Sequence, residues 1–418
     1  MRASPAKTGA SRHDLLARYR HNPPNRLNSP LRCAATFAAL AALMVGGATR
    51  LAAQDVEVER DSTPADPEEF LSDLLPPLDI LEDMDEAGYP LEIETIGPRS
   101  GLGAVFGVRR FEPLFLDAGY SIRGSQRYRA GLLFGGEEKR GLRFGYTFRR
   151  DAEDTFWGVG TETPEDRRSD FLRDKSETAL EAWTRLRPRL RLAGAVAFED
   201  NRVGRGGDAS LPDVQETFAD ESIFGISQRV KLLRFETAIA FDRVYPIGFQ
   251  RRGLWLQIGG ALFRGVGETD PDFHRFTGEA HYYVPLGSKA MFAVRGLVEM
   301  NRLDSGEGIP FYDLSRMGGS RNGPRSFSGG RFRDRDGLSI MTELRREIVR
   351  FDKRRLQGFI LLDQGGVTRN LGSIDGSDLH TSYGLGLRLA DKKGFATIGY
   401  AAFGAEGVRL GLRTHWPF

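Results

Sequence analysis

The chain has 418 residues, 51 of them glycine and one in ten aromatic, with a formal charge of only +2. That is long enough for two or three soluble domains or one large barrel. Mean hydropathy is −0.37, and no run after Ala53 approaches the ~20 apolar residues of a membrane helix, which excludes a multi-helix membrane protein.

The N-terminus has the layout of an export signal. Arg18, Arg20, Arg26 and Arg32 precede an apolar run from Ala34 to Ala48, and small residues follow at Ala52 and Ala53. Cleavage before Gln54 would remove residues 1–53. A single membrane anchor is the alternative, and the run is short for it. The only cysteine, Cys33, lies before the apolar run and would leave with the leader, so the exported chain is expected to hold no disulfide.

Residues 54–97 are acidic, with Arg60 the only base, and prolines at 64, 67, 76, 77 and 90 break them up. They read as a periplasmic linker with at most one short helix, near Glu68–Leu75, and a first strand near Tyr89–Ile96. Residues 98–418 keep 50 of the 59 Lys+Arg but only 41 of the 57 Asp+Glu, a balance of about +9. The near-neutral total thus conceals an acidic segment joined to a basic body. Glu68–Glu86 in the mouth of the barrel is one expectation; a solvated spacer is the favoured one.

From about residue 98 the pattern has period two. Leu142, Phe144, Tyr146 and Phe148 alternate with Arg143, Gly145, Thr147 and Arg149. In the last segment Val408, Leu410, Leu412, Thr414, Trp416 and Phe418 face opposite Arg409, Gly411, Arg413 and His415. One such segment fits a soluble antiparallel sheet equally well. Segments of about ten residues repeated over three hundred, with arginine and glycine on the polar face, fit a transmembrane antiparallel β-barrel. The fold class is therefore all-β, and 98–418 is expected to be an outer-membrane barrel.

Loop lengths support that reading. Long connections are expected at about Asp151–Ser176, Asp200–Gln228, Asn301–Asp336 and Gly366–Leu379. Short turns are expected at Arg187–Arg189, Tyr245–Gln250, Pro285–Ser288, Phe351–Arg354 and Asp391–Gly394. Alternation of long and short ends gives sixteen strands as the best count, with fourteen as the alternative, and places five strands after Asp336. The glycine–arginine stretch RMGGSRNGPRSFSGGRFRDR, Arg316–Arg335, is too long for a structureless connection in a compact domain unless it has a role. Phe327 and Phe332 argue that it folds inward.

These residues resemble the BamA/TamA-type outer-membrane barrel, the bacterial surface antigen family. Its long loop between the eleventh and twelfth strands is matched by Gly318 and Gly319, then Arg325, Ser326 and Phe327, followed by Phe332 and Asp334. The next strands match at Glu343 and Arg345, at Asp363 and Gly365, and at Ser382, Gly384, Gly386 and Arg388; the chain ends on the aromatic Phe418, the expected C-terminal strand signal. The turn DRVYPIG, with Asp242, Arg243, Pro246 and Gly248, resembles a further family turn. The resemblance spans most of 98–418. Two departures stand out: Ser326 occupies a glycine position, and the acidic segment is too short and proline-broken for a POTRA module.

Alternation sets Glu343 opposite Leu338, Ile340 and Leu344, on the lumen face, while Asp363 ends a stretch apolar on both faces. An inward loop lets Arg325 meet Glu343 and Asp363 through its forked guanidinium, and the resemblance implies the same contact; the alternative is one more solvated loop arginine. The four histidines of the body, His274, His281, His380 and His415, lack metal-ligand spacing, no GxSxG is present, and Asp334 and Asp336 read as solvated loop acids or cation contacts. The expectation is a non-enzyme without cofactor or metal, assisting the assembly, insertion or export of outer-membrane proteins. A passive anion-favouring channel and a structural surface protein are the alternatives. Outer-membrane lipid and lipopolysaccharide are the expected partners, with periplasmic chaperones, assembly lipoproteins and client barrels as candidates; nucleic acid is not expected.

Overall fold

A computed structural model describes residues 87–418, apart from 137–138, 220–222, 248–249, 351–353, 392–395 and 416–418. The expected leader, the acidic segment to residue 86 and Phe418 lie outside the described residues.

Eighteen strands are described. The first seven are β1 (Leu91–Glu94), β2 (Gly103–Val108), β3 (Leu114–Ser121), β4 (Gln126–Gly136), β5 (Arg140–Phe156), β6 (Ser169–Arg187) and β7 (Leu190–Arg205). Then come β8 (Val230–Ile247), β9 (Gln250–Gly265), β10 (Asp272–Leu286) and β11 (Ala290–Ser305), followed by two short strands, β12 (Ser315–Met317) and β13 (Phe332–Asp334). The last five are β14 (Asp336–Arg350), β15 (Arg354–Thr368), β16 (His380–Asp391), β17 (Ala396–Gly404) and β18 (Gly407–His415).

Sixteen of these form one sheet in chain order, with β11 passing directly to β14, while β12 and β13 pair only with each other. The ladders are antiparallel, so each connection reverses the chain and the ends alternate between long loops and tight turns. Among the described residues no ladder joins β1 to β18. The sheet begins at Leu91, within the Tyr89–Ile96 stretch where a first strand is expected.

Four expected loops are shorter than the pattern suggests. β5 continues to Phe156 and β6 starts at Ser169, so the connection expected over Asp151–Ser176 shrinks to residues 157–168. β7, β11 and β15 likewise overrun to Arg205, Ser305 and Thr368. The reason is chemical. Alternation is visible only where one face is apolar, and past that band both faces are polar or covered; residues 151–156 are buried on every side.

Polarity is inverted relative to a soluble protein. On the outer face Leu410 is 78% exposed, Leu385 61%, Ile360 60% and Phe144 51%, whereas Arg345 and Asp363 on the inner face are fully buried. Outward apolar rows of this extent need a non-aqueous environment. The inward charges are arranged to neutralise one another: Arg234 donates to Glu199 at 2.7 Å and to Glu177 at 3.1 Å, and Lys175 reaches Glu199 at 3.0 Å. Pairing offsets the desolvation cost that each charge would otherwise impose.

At the long-loop end an apolar dome closes over the lumen. Phe156, Phe171, Phe218, Phe224, Phe273 and Phe311 pack together there, from the ends of β5, β6 and β10 and the loops between. Phe311 contacts Phe156 and Phe171 with centroids 4.8 and 4.9 Å apart.

The inversion yields a test. Ile340 lies outward near the middle of β14 and is 44% exposed. Ile340→Arg should destabilise the protein in lipid vesicles by about 2–4 kcal/mol, as expected for a lipid-facing cation near the bilayer midplane. A water-exposed site would lose less than about 0.5 kcal/mol. Urea unfolding of the vesicle-inserted protein reads the difference.

Candidate functional site: the inward loop

Residues 306–335 leave β11, turn through Phe311–Asp313, and form the hairpin of β12 and β13 inside the barrel. Its ladder sets Ser315 opposite Asp334 and Met317 opposite Phe332. Glycine is required where the chain turns back. Gly318 and Gly319 have φ of +110° and +80°. A β-carbon on Gly318 would sit 2.2 Å from the Ser328 carbonyl oxygen, and one on Gly319 2.9 Å from the Gly329 α-carbon. Left-handed backbone and close approach together leave no room for a side chain.

The turn delivers Arg325 to the inner walls of β14 and β15. Its Nε and one terminal nitrogen each donate to an Asp363 carboxylate oxygen at 2.7 Å, and its own backbone N–H reaches Asp363 at 3.2 Å. The other terminal nitrogen donates to Glu343. Glu343 in turn accepts from Arg345 Nε at 2.7 Å, so one carboxylate bridges two guanidiniums. All four side chains are buried. Bidentate geometry of this kind fixes direction as well as distance.

Beside the anchor, Phe327 is 1% exposed and packs with Leu297, Met317, Phe332 and Val367. Phe327 meets Phe332 edge-on at 5.2 Å, and the His380 ring lies flat on Phe332 at 3.8 Å. Ser326, the departure from glycine, has an ordinary backbone, since Arg99 is the only described non-glycine residue with positive φ. Its N–H donates to Ser382 Oγ at 2.9 Å and its hydroxyl lies 2.5 Å from the same atom. The added hydroxyl fits because Gly404 faces it; a β-carbon there would fall 2.1 Å from Ser326 Oγ.

The structure therefore brings together Arg325, Phe327, Glu343 and Asp363 on a turn made by Gly318 and Gly319. It corrects the reading of Asp334 and Asp336. Both are buried rather than solvated. Asp336 is taken up by Arg302 and by the N–H groups of Asn301 at 3.2 Å and Leu371 at 2.8 Å, so its lone pairs hold neighbouring segments instead of a cation. Among the described residues no group of three or more His, Cys, Asp or Glu side chains is placed to hold a metal.

Two functional arginines escaped the sequence reading. Arg331 donates to the Thr163 hydroxyl and carbonyl, each at 2.6 Å, and to Glu406 at 2.6 Å in the β17–β18 turn. Arg333 is fully buried among Phe156, Phe171 and Phe311, with its guanidinium carbon 5.5–5.9 Å from their ring centres, and donates to the Thr155 carbonyl at 2.9 Å. The only signal was their alternation with Phe332 in RFRDR, which says nothing of long-range partners.

Removing one side of the anchor leaves an uncompensated buried charge, a loss of about 3–5 kcal/mol. Asp363→Ala keeps every tryptic site of the loop, and all of Arg325, Arg331 and Arg333 are buried in the intact protein. Limited trypsinolysis should cut after Arg325, Arg331 or Arg333 in the variant and spare those three bonds in the unaltered chain, with thermal unfolding shifted down in parallel.

Three comparisons bear on this architecture. Residues 222–402 match the model of the Omp85 superfamily domain. The fold matches the crystal structure of Haemophilus ducreyi BamA lacking POTRA domains 1–3, with a TM-score of 0.54 at 12% identity over 85% of this chain and 79% of that one. CdiB from Acinetobacter baumannii aligns with a TM-score of 0.46 at 13% identity, over 76% of this chain and 56% of that one. CdiB from Escherichia coli gives 0.47 at 13%, over 78% and 60%. No curated protein matches the sequence. The matched stretch runs from the loop before β8 to β17 and so contains the entire inward loop with its anchors on β14, β15 and β16. Residues 222–402 are thus similar to the Omp85 superfamily domain, and the fold is similar to that of the BamA barrel.

Proposed function

We propose that this protein is a closed sixteen-stranded outer-membrane barrel, exported through a cleaved leader. Its role is an accessory one in the assembly, insertion or export of other outer-membrane proteins. The observation that carries this reading is the filled lumen: the 316–335 loop is anchored by Arg325 to Asp363 and Glu343, beneath a dome of packed phenylalanines. A solute channel gains nothing from such a plug, whereas a machine acting through its wall needs a lumen that does not leak. The work is mechanical. Arg325, Glu343 and Asp363 lock the loop and catalyse no bond change, and the protein operates without cofactor or metal.

The short turns face the periplasm and the long loops face outward, as in bacterial barrels generally. Outer-membrane lipid surrounds the wall, lipopolysaccharide meets the loop end, and client barrels, chaperones and assembly lipoproteins are the protein partners. A passive channel is the second reading, favoured only by the basic balance of the barrel.

Conductance separates the two. The purified protein in a planar bilayer should show low, unsteady conductance, and Asp363→Ala should raise it by freeing the loop. Large, steady, anion-selective openings from the unaltered protein would establish the channel. Depletion in the cell should lower the level of other outer-membrane barrels; unchanged levels would overturn the assembly role.

A further inference from the structure

Outward-facing arginines along the wall differ in whether a carboxylate meets them. At the long-loop end four of them meet a carboxylate. Arg150 makes a bidentate pair with Asp174 at 2.7 Å, Arg229 pairs with Asp200 at 2.5 and 2.8 Å, Arg264 with Asp272 at 3.1 Å, and Arg302 with Asp336 at 2.9 Å. At the short-turn end Arg350 pairs with Glu347 at 3.2 Å, whereas Arg189, Arg243 and Arg252 are exposed and, among the described residues, none of the three meets a carboxylate.

These three arginines surround one aromatic. Tyr245 is 40% exposed and stands opposite Arg252 in the β8–β9 ladder; Arg243 stands opposite Leu254 one pleat away. The Arg189 guanidinium, from the turn after β6, lies 5.2 Å from the Tyr245 ring centre. Asp242, the nearest acid in sequence, sits opposite buried Trp255 on the lumen side, and its carboxylate accepts the Val244 N–H at 3.0 Å. Directly above the cluster the outward positions turn apolar: Phe241 opposite Leu256, then Ile239 opposite Ile258. Two residues of strand cover about 7 Å. The arginines therefore lie one headgroup depth past the hydrocarbon edge, the level at which tyrosine also settles.

We propose that Arg189, Arg243, Arg252 and Tyr245 form a docking surface for the headgroup of an anionic glycerophospholipid in the leaflet at the short-turn end. Guanidinium forks match phosphate oxygens, and with no carboxylate among the described residues meeting these three arginines, the lipid supplies the counter-charge. Its place at the β8–β9 turn makes the site a property of one leaflet. The inference rests on the membrane-barrel reading.

The test uses the full chain folded in lipid nanodiscs containing phosphatidylglycerol and phosphatidylcholine, with retained lipid read by native mass spectrometry. The unaltered protein should retain phosphatidylglycerol preferentially. An interfacial arginine changes affinity for an anionic surface by about fivefold, so R189Q/R243Q/R252Q should weaken that retention on the order of a hundredfold. The variant R150Q/R264Q, altered at the other end, should keep it. Equal retention by the triple variant, or no preference in the unaltered protein, would overturn the proposal. Heat-modifiable gel mobility monitors barrel formation separately: failure of the unaltered chain there defeats the barrel reading rather than the lipid site. Should the triple variant alone fail to fold, Arg252→Gln must still show a loss of about fivefold.

Discussion

A charge inside a dry wall must be answered by another charge, and the Arg325 guanidinium shows how much structure that requirement can hold in place. Its two carboxylates come from adjacent strands, one of them shared with Arg345. The loop thus cannot shift along the wall without exposing three ionised groups to one another's absence. Burial gives the contact its leverage: a solvated pair of the same geometry would contribute little. The aromatic packing of Phe327, Phe332 and His380 then fills the space the ion pairs define.

Much of this was legible in the sequence, for identifiable reasons. Alternation revealed strands wherever one face was apolar and the other arginine or glycine, as in β5 and β16. It failed where both faces were polar, so the ends of β5, β7 and β11 read as loop. Gly318 and Gly319 advertised a tight turn because only glycine tolerates that backbone. Glu343 was assignable to the lumen from its phase against Ile340 and Leu344. Asp363 was not, since the residues before it are apolar on both faces, and its place in the argument came from the resemblance. Arg331, Arg333 and Asp336 were illegible. Their partners, Thr163, Thr155 and Arg302, are set by loop packing that no local period records.

The two ends of the wall answer to different surroundings. At the loop end a network of paired charges and packed phenylalanines makes the barrel self-sufficient. At the turn end strands finish abruptly in short reversals that carry exposed basic side chains such as Arg189, Arg243 and Arg252. The same alternation that sorts apolar from polar across the wall is thereby supplemented by a gradient along it.

The loop's anchors also have an order in time. Arg325 reaches a partner 18 residues ahead in Glu343 and another 38 ahead in Asp363; Ser326 reaches 56 ahead to Ser382, and Arg331 75 ahead to Glu406. A chain threaded from its N-terminus presents the loop before any of these exists. The loop must wait, and each later strand that arrives closes one more contact across a longer span, at a rising entropic cost. Docking of the hairpin therefore reports that the C-terminal strands have joined the wall, which makes the loop a built-in check on completeness: a chain that stops short of β14 keeps an insert without any of these anchors, and one that stops short of β17 still lacks the Glu406 contact.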